Sequence, residues 1–215
     1  MSLFITLEGI EGSGKTTQLL RLHEHFQALG LKVVATREPG GCRISDTIRT
    51  MLLDPGNDSM APHAELLLYS AARAQHVAEF ILPALEQGKV VLCDRFADAT
   101  TVYQGVGRGL DISQLEIINR FASRGLVPDI TLLLDYPVEE GLRRARERNH
   151  SGNIESEGRF EQESTDFHRR IRQGYLDLAA GEERFRVIDA LGDESSVSKR
   201  IIAEVDRFLA SRRPA

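Results

Sequence analysis

The segment between an apolar run and an amphipathic stretch near the N-terminus restricts this chain more than any other feature. Gly9-Ile10-Glu11-Gly12-Ser13-Gly14-Lys15-Thr16 follows Phe4-Ile5-Thr6-Leu7. It precedes residues 16–29, where Leu19, Leu20, Leu22, Phe26 and Leu29 recur at helical spacing up to Gly30. Strand, G-x-x-x-x-G-K-[ST] and helix in that order make a phosphate-binding loop. Its glycines let the backbone fold tightly around phosphates, and the helix N-terminus adds a favourable dipole. The motif therefore predicts ATP or another nucleoside triphosphate held by Ile10, Glu11, Gly12, Ser13, Gly14, Lys15, Thr16 and Thr17. Lys15 supplies a cation to the β- and γ-phosphates, and the Thr16 hydroxyl a ligand for Mg²⁺.

A loop of this kind needs a parallel sheet behind it, and the rest of the chain supplies the strands. Leu31 to Thr36, Val90 to Cys93, Ile130 to Leu134 and Phe185 to Ile188 are short apolar runs separated by helical patterns. Helices are predicted around 43–53, from Pro62 to Gln87 with Pro83 kinking or ending it, and from Ser195 to Ala210. The predicted fold is α/β: a five-stranded parallel sheet covered by helices on both faces. It forms a single domain over 1–215, with a small lid at about 143–161. Residues 149–158, NHSGNIESEG, are polar and lie between Arg-bearing helical segments, as a mobile lid would.

Composition removes several classes of function. Net charge is −5, from 27 Lys+Arg against 32 Asp+Glu, so no basic face for nucleic acid is expected. No apolar run approaches a membrane-spanning length, and no basic residue precedes the first apolar run, as a secretory signal would require. Cys42 and Cys93 stand far apart without neighbouring Cys or His, which fits small buried thiols in a reducing cytoplasm. The histidines, His23, His25, His63, His76, His150 and His168, show no ligand spacing and are expected at surface or half-buried positions.

The acidic partner of the loop should end another apolar strand. Asp94, after Val90-Val91-Leu92-Cys93, meets that need and can orient the magnesium with Thr16. Arg95 then faces the ligand crevice of the sheet, where it can bind the phosphate of an acceptor. A GTPase would carry an N-K-x-D-like guanine reader, and none occurs.

Several blocks together resemble the bacterial thymidylate kinases, nearly end to end: FITLEGIEGSGKTT at 4–17, TREPGG at 36–41, YSAAR at 69–73 and DRF at 94–96, then VYQG at 102–105, PDITLLLD at 128–135 and GRFEQES at 158–164. The resemblance implies the P-loop nucleoside monophosphate kinase fold, with ATP and one Mg²⁺ phosphorylating dTMP to dTDP in a cytoplasmic homodimer. Another monophosphate or deoxynucleoside kinase is the first alternative, and a nucleotide-binding module without turnover the second.

Roles follow residue by residue. Tyr69 can stack on thymine and Arg73, one helical turn later, can donate to a base carbonyl. Gln104 can hydrogen-bond the base edge, with Thr100 as another base contact. Arg49 and Arg95 match arginines that hold the acceptor phosphate, and Arg37, Glu38 and Pro39 match the loop flanking the substrate. Glu11 corresponds to the acid that accepts from the sugar 3′-hydroxyl, with Tyr103 packed where a 2′-hydroxyl would project. Gly12 follows Glu11 where one branch of the family carries an arginine, so the catalytic arginine must come from the lid. Arg159 is the best match, and Arg144, Arg146 and Arg148 are the other candidates. Lys15, Asp94, Arg95 and Arg159 form the expected catalytic set; Glu161 and Glu163 are read as lid-hinge or helix-capping residues. Phe96 stands where Tyr is usual, a change expected to affect packing.

Overall fold

The computed structural model describes residues 2–150 and 159–212, and within these not the side chains of 148–150 and 161. Of the expected lid, 151–158 therefore lies outside the described residues, as does the side chain of Glu161.

Five parallel strands, β1 (Leu3–Glu8), β2 (Val33–Arg37), β3 (Val90–Asp94), β4 (Ile130–Asp135) and β5 (Phe185–Asp189), lie in the order β2-β3-β1-β4-β5. β1 is central and buried along its whole length, pairing Leu3 with Val90 on one side and Ile5 with Ile130 on the other. Burial on both faces explains why β1, β3 and β4 read as continuous apolar runs. The helices are α1 (Lys15–Ala28), α2 (Arg43–Leu53), α3 (Pro62–His76), α4 (Leu82–Glu86), α5 (Ala97–Thr100), α6 (Ile112–Ala122), α7 (Val138–His150), α8 (Thr165–Gly181) and α9 (Glu194–Ser211).

Leu19, Leu22 and Phe26 of α1 and Val197, Ile201 and Val205 of α9 pack on one face of the sheet with Leu3, Ile5 and Leu7. Each such side chain, fully buried, contributes about 1.5–3 kcal/mol. The opposite face is covered by Val77, Ile81 and Phe96 against Phe4 and Val91, and by Phe167, Ile171 and Tyr175 of α8.

Two departures from expectation have local causes. The helix expected over 62–87 is interrupted by a π-helical stretch, Val77–Ile81, where the Leu82 amide donates to Val77 O. Pro83 lacks an N–H and crowds the preceding turn, and the widened turn accommodates it. No element was expected at 97–122, yet α5 continues into π-helical Thr101–Gly107 and α6 follows. The β-branched, Gly-containing sequence of 100–107 hides that helix. Asp111 starts α6 by accepting from Ser113 and Gln114 amides. Among the described residues no helix is long and apolar enough to cross a membrane.

Candidate active site

The phosphate loop leaves the carboxyl end of β1 beside the ends of β3 and β4, the crevice where open α/β sheets bind ligands. Gly14, with φ of 93°, turns the chain into α1 in a conformation other residues adopt only at a cost. Lys15 is buried and its Nζ donates to Gly9 O at 3.1 Å and Ile10 O at 2.9 Å, folding over its own loop. Ser13 Oγ is buried without a hydrogen-bond partner among the described residues. Thr16 Oγ1 donates to Asp94 Oδ2 at 2.8 Å, so the hydroxyl and carboxylate read as a metal pair do meet.

A contact the sequence reading missed closes this loop. A Cβ on Gly12 would stand 2.1 Å from Gly141 O, and one on Gly141 would stand 2.5 Å from Glu11 O. The first turn of α7 thus packs backbone to backbone on the phosphate loop. A lone glycine early in an Arg-rich helix was the available signal.

A single pocket gathers the expected acceptor residues. Glu11, Glu38, Pro39, Arg49 and Tyr69 line it, together with Arg73, Arg95, Thr100, Tyr103 and Gln104. Leu53, Phe96, Ala99 and Phe160 complete the wall. Arg37 is not brought in: it ends β2 with an exposed side chain, because strand alternation turns it away while Glu38 and Pro39 face inward.

Arg73, only 2% exposed, is held by four hydrogen bonds to protein. Nε donates to Glu38 Oε2 at 2.8 Å, Nη1 to Asn119 Oδ1 at 2.7 Å, and Nη2 to Phe96 O and Thr100 Oγ1 at 3.1 and 2.9 Å. The guanidinium therefore has fixed orientation, with one Nη1 N–H left over. Glu38 also meets His76 Nδ1 at 3.1 Å. Arg49 donates to Pro39 O at 2.9 Å. Phe96 packs edge-on against Phe4, 4.9 Å between centroids.

Arg95 adopts φ of 68°, a left-handed conformation uncommon outside glycine, and its amide donates to Leu7 O at 2.9 Å. Its Nη1 donates to Gly9 O and its Nη2 to Glu11 Oε1 at 3.1 Å. Tyr103 Oη donates to the same Glu11 oxygen at 2.5 Å. Glu11 Oε2 stands 3.0 Å from Nδ1 of His168, whose Nε2 donates to Phe160 O. Burial raises the Glu11 pKa, but His168, Arg95 and Lys15 together outweigh it and hold the carboxyl well below its usual range. A carboxylate in a phosphate loop is thus held from behind by two cations, Arg95 and Lys15, and by the imidazole of His168.

Glu8, three residues earlier, goes the other way. It is fully buried, accepting from the Phe96 amide and Tyr175 Oη, both at 2.7 Å. Burial and the charge of Asp98 push its pKa up to about 8, against the opposing pull of Arg95.

Three expectations need correction or relocation. His76 and His168 are not surface or half-buried: both are fully buried, because each faces a buried glutamate. Arg159 is not turned to the phosphate loop; it is buried, its Nη2 bonded to Glu65 Oε2 and its Nη1 to Asn57 O. The Glu163 side chain does not cap α8: Ser164 does so by accepting from the Phe167 amide, while Glu163 closes the short 3-10 turn Phe160–Gln162 with its own amide and pairs its carboxylate with Arg108 at 2.5 Å. Arg144 lies over the Tyr136 ring, 4.4 Å from its centroid, beside the loop-facing turn of α7.

Comparison with known proteins agrees with this geometry. The family described as thymidylate kinase matches residues 7–201. The thymidylate kinase of Syntrophotalea carbinolica is 58% identical over 202 residues, 94% of each chain. That of Desulfosudis oleivorans is 55% identical over 214 residues, covering 99% of this chain and all of its own length. The crystal structure of thymidylate kinase from Ehrlichia chaffeensis superposes with a TM-score of 0.74 at 34% identity, covering 95% of this chain and 98% of the other.

Proposed function

The chain belongs to the thymidylate kinase family and phosphorylates dTMP to dTDP with ATP as donor, and we propose that it does so with the residues described above. The observation that carries the assignment of roles is the convergence of the expected acceptor residues, Arg37 apart, on one pocket that opens beside the phosphate loop at Glu11 and Arg95.

In this reading ATP phosphates lie on the amides of 12–16, and Lys15 turns from its own carbonyls to the β- and γ-phosphates. Ser13 Oγ, buried without a partner among the described residues, suits the same anion. Thr16 and Asp94 offer hard oxygen donors, which fit Mg²⁺ held by few protein ligands and substrate phosphates. That ion, when bound, offsets charge on the transferred group. Tyr69 stacks on thymine, Arg73 and Gln104 read its edge, and Glu11 accepts from the sugar hydroxyl that Tyr103 helps to place. Arg95 and Arg49 hold the acceptor phosphate. Catalysis is then positioning and charge stabilisation, without an imidazole base.

The lid arginine is best sought on α7. Gly141 seats the first turn of that helix on the loop, and Arg144 follows one turn later. Arg146 is the next candidate on the same helix, and the side chain of Arg148 lies outside the described residues. Arg159, tied to Glu65, acts as an anchor for the lid's far end. The chain works as one kinase domain over 1–215 with its lid at about 143–161.

A homodimer is proposed on the outer faces of α3 and α6, which expose Leu67 (59%), Ile117 (71%) and Phe121 (84%). Apolar exposure of this kind marks an interaction surface. The free thiols Cys42 and Cys93 suit a cytoplasmic enzyme. The deciding experiment is a coupled assay of ATP with a panel of monophosphates. dTMP should be the best acceptor, dUMP lower by about tenfold to a few hundredfold, and AMP and GMP poor. Equal use of AMP and dTMP would reject the assignment of the pocket.

A further inference from the structure

We infer that Glu65 is a positioning residue for base choice: it fixes the polarity of the Gln104 amide, so that the pocket presents an acceptor to the base. The inference rests on the reading of Gln104 as the contact for the base edge.

Glu65 lies in the first turn of α3 with no exposed surface. Its Oε1 accepts from Gln104 Nε2 at 2.8 Å and from Arg108 Nε at 3.3 Å. Its Oε2 accepts from Arg108 Nη2 at 3.3 Å and from Arg159 Nη2. Between two guanidinium groups the carboxylate has only acceptor capacity to offer Gln104. A flipped amide would set carbonyl oxygen against carboxylate oxygen in a buried site. One Nε2 N–H is therefore held by Glu65, which places the acceptor Oε1 of the fixed amide as the atom we assign to the base edge in the pocket that Gln104 lines.

The chemical consequence is selective. Thymine and uracil carry a ring N–H at N3, whereas cytosine carries a lone pair there. A fixed acceptor pairs with the first and faces the second lone pair to lone pair, leaving a buried polar group unsatisfied. Thymine's methyl group cannot make this distinction; the amide's orientation can.

The same carboxylate also holds the pocket wall. Arg108 and Arg159 lie over the Phe160 ring at 5.4 and 5.3 Å, and Phe160 lines the pocket. Arg108 further pairs with Glu163, so the segment carrying Arg159, Phe160 and Glu163 is tied to the base reader through one buried anion.

The test compares kcat/KM for dTMP and dCMP in the parent, Glu65→Gln, Gln104→Leu, and the exchange Glu65→Gln with Gln104→Glu. Glu65→Gln should lower the dTMP:dCMP ratio by about tenfold or more, with KM for ATP unchanged within about twofold. The exchange places an acceptor-only carboxylate at 104 against a donor amide at 65. It should restore the ratio to within about threefold of the parent, which a merely structural role would not do. In a Gln104→Leu background, Glu65→Gln should change the ratio no further. Should Glu65→Gln fail to fold, Glu65→Asp, which keeps the charge but withdraws it from Gln104, carries the same expectation. Equal losses on both nucleotides, with the ratio intact, would overturn the inference. An unchanged ratio in Gln104→Leu itself would instead reject Gln104 as the base contact.

Discussion

The phosphate loop and the acceptor pocket meet at Glu11, and they are built in opposite ways. The loop is backbone: glycines at 9, 12 and 14 with positive φ, a lysine bonded to its own loop, and one glycine-to-glycine seam with α7. The pocket is side chain: buried groups from the loops after β1, β2 and β3 and from α3 and α8, paired with one another before any substrate arrives. A backbone cradle tolerates many anions, because every phosphate offers the same oxygens. A cradle of paired side chains fixes the direction of each donor and acceptor, which is what choosing one base and one sugar requires. Donor binding should therefore be sensitive to single charges, and acceptor binding to the pairing of charges.

Four changes would break or sharpen that contrast. The largest effect is expected from Lys15→Met. Its Nζ donates to the loop carbonyls of Gly9 and Ile10, so kcat should fall by about 10³ while the dTMP dissociation constant and the melting temperature hardly move. Loss of dTMP binding in this variant would show that the two regions are not separable.

Arg73→Met comes next and should behave in the reverse manner. It leaves Glu38 buried beside His76 without its guanidinium partner, a loss of about 3 kcal/mol in urea unfolding. dTMP binding should weaken more than tenfold, by about 1.4 kcal/mol or more, with ATP binding retained. A variant of parental stability would mean that pairing is not what holds the pocket.

Glu8 sits in the wall between the regions. Its folded pKa of about 8 lies above the ordinary carboxyl value of 4.5, so the fold favours the protonated form. That contribution is complete below about pH 4.5 and is lost as pH rises through 8. Parental stability should drop by about 1–2 kcal/mol between pH 6 and pH 8 from this group. Glu8→Gln should flatten that slope, since an amide can accept from the Phe96 amide and donate to Tyr175. An unchanged slope in the variant would assign the pH dependence to other groups.

The smallest effect on rate is expected from Arg159→Met. With Arg108 still paired to Glu65, kcat should stay within about threefold of the parent and KM for dTMP rise a few-fold. A fall in kcat of tenfold or more would return Arg159 to the transferring phosphoryl group and move the anchor role to Arg108 alone.

The two regions also differ in how far they could be read from sequence. The phosphate loop was legible because its strand, glycines, lysine and helix follow one another within one short stretch of chain. The three inner strands were legible because burial on both faces writes itself as an apolar run, and the edge strands β2 and β5 because a few apolar residues recur between helical patterns. Much of the pocket lining was legible too, through the resemblance carried by TREPGG, YSAAR and VYQG, although Arg37 stands outside it and Leu53, Phe96, Ala99 and Phe160 were not expected there. What each of the polar atoms bonds to was not legible. Glu65 and Gln104 are 39 residues apart, Glu65 and Arg159 94, and Glu8 and Tyr175 167. His168 looked like any helical histidine until packing placed it under Glu11.

By itself, then, the sequence determined a parallel α/β sheet with a phosphate loop at its central strand, since those features depend on local spacing and hydrophobic period. Only the tertiary structure decided that Glu8 is pushed towards neutrality while Glu11 stays charged, that Arg159 bonds to Glu65, and that Gly141 seats α7 on the loop. Charge and hydrogen-bond direction depend on which groups are within about 3 Å and how much water is left between them. Those neighbours come from distant parts of the chain, and no local pattern names them.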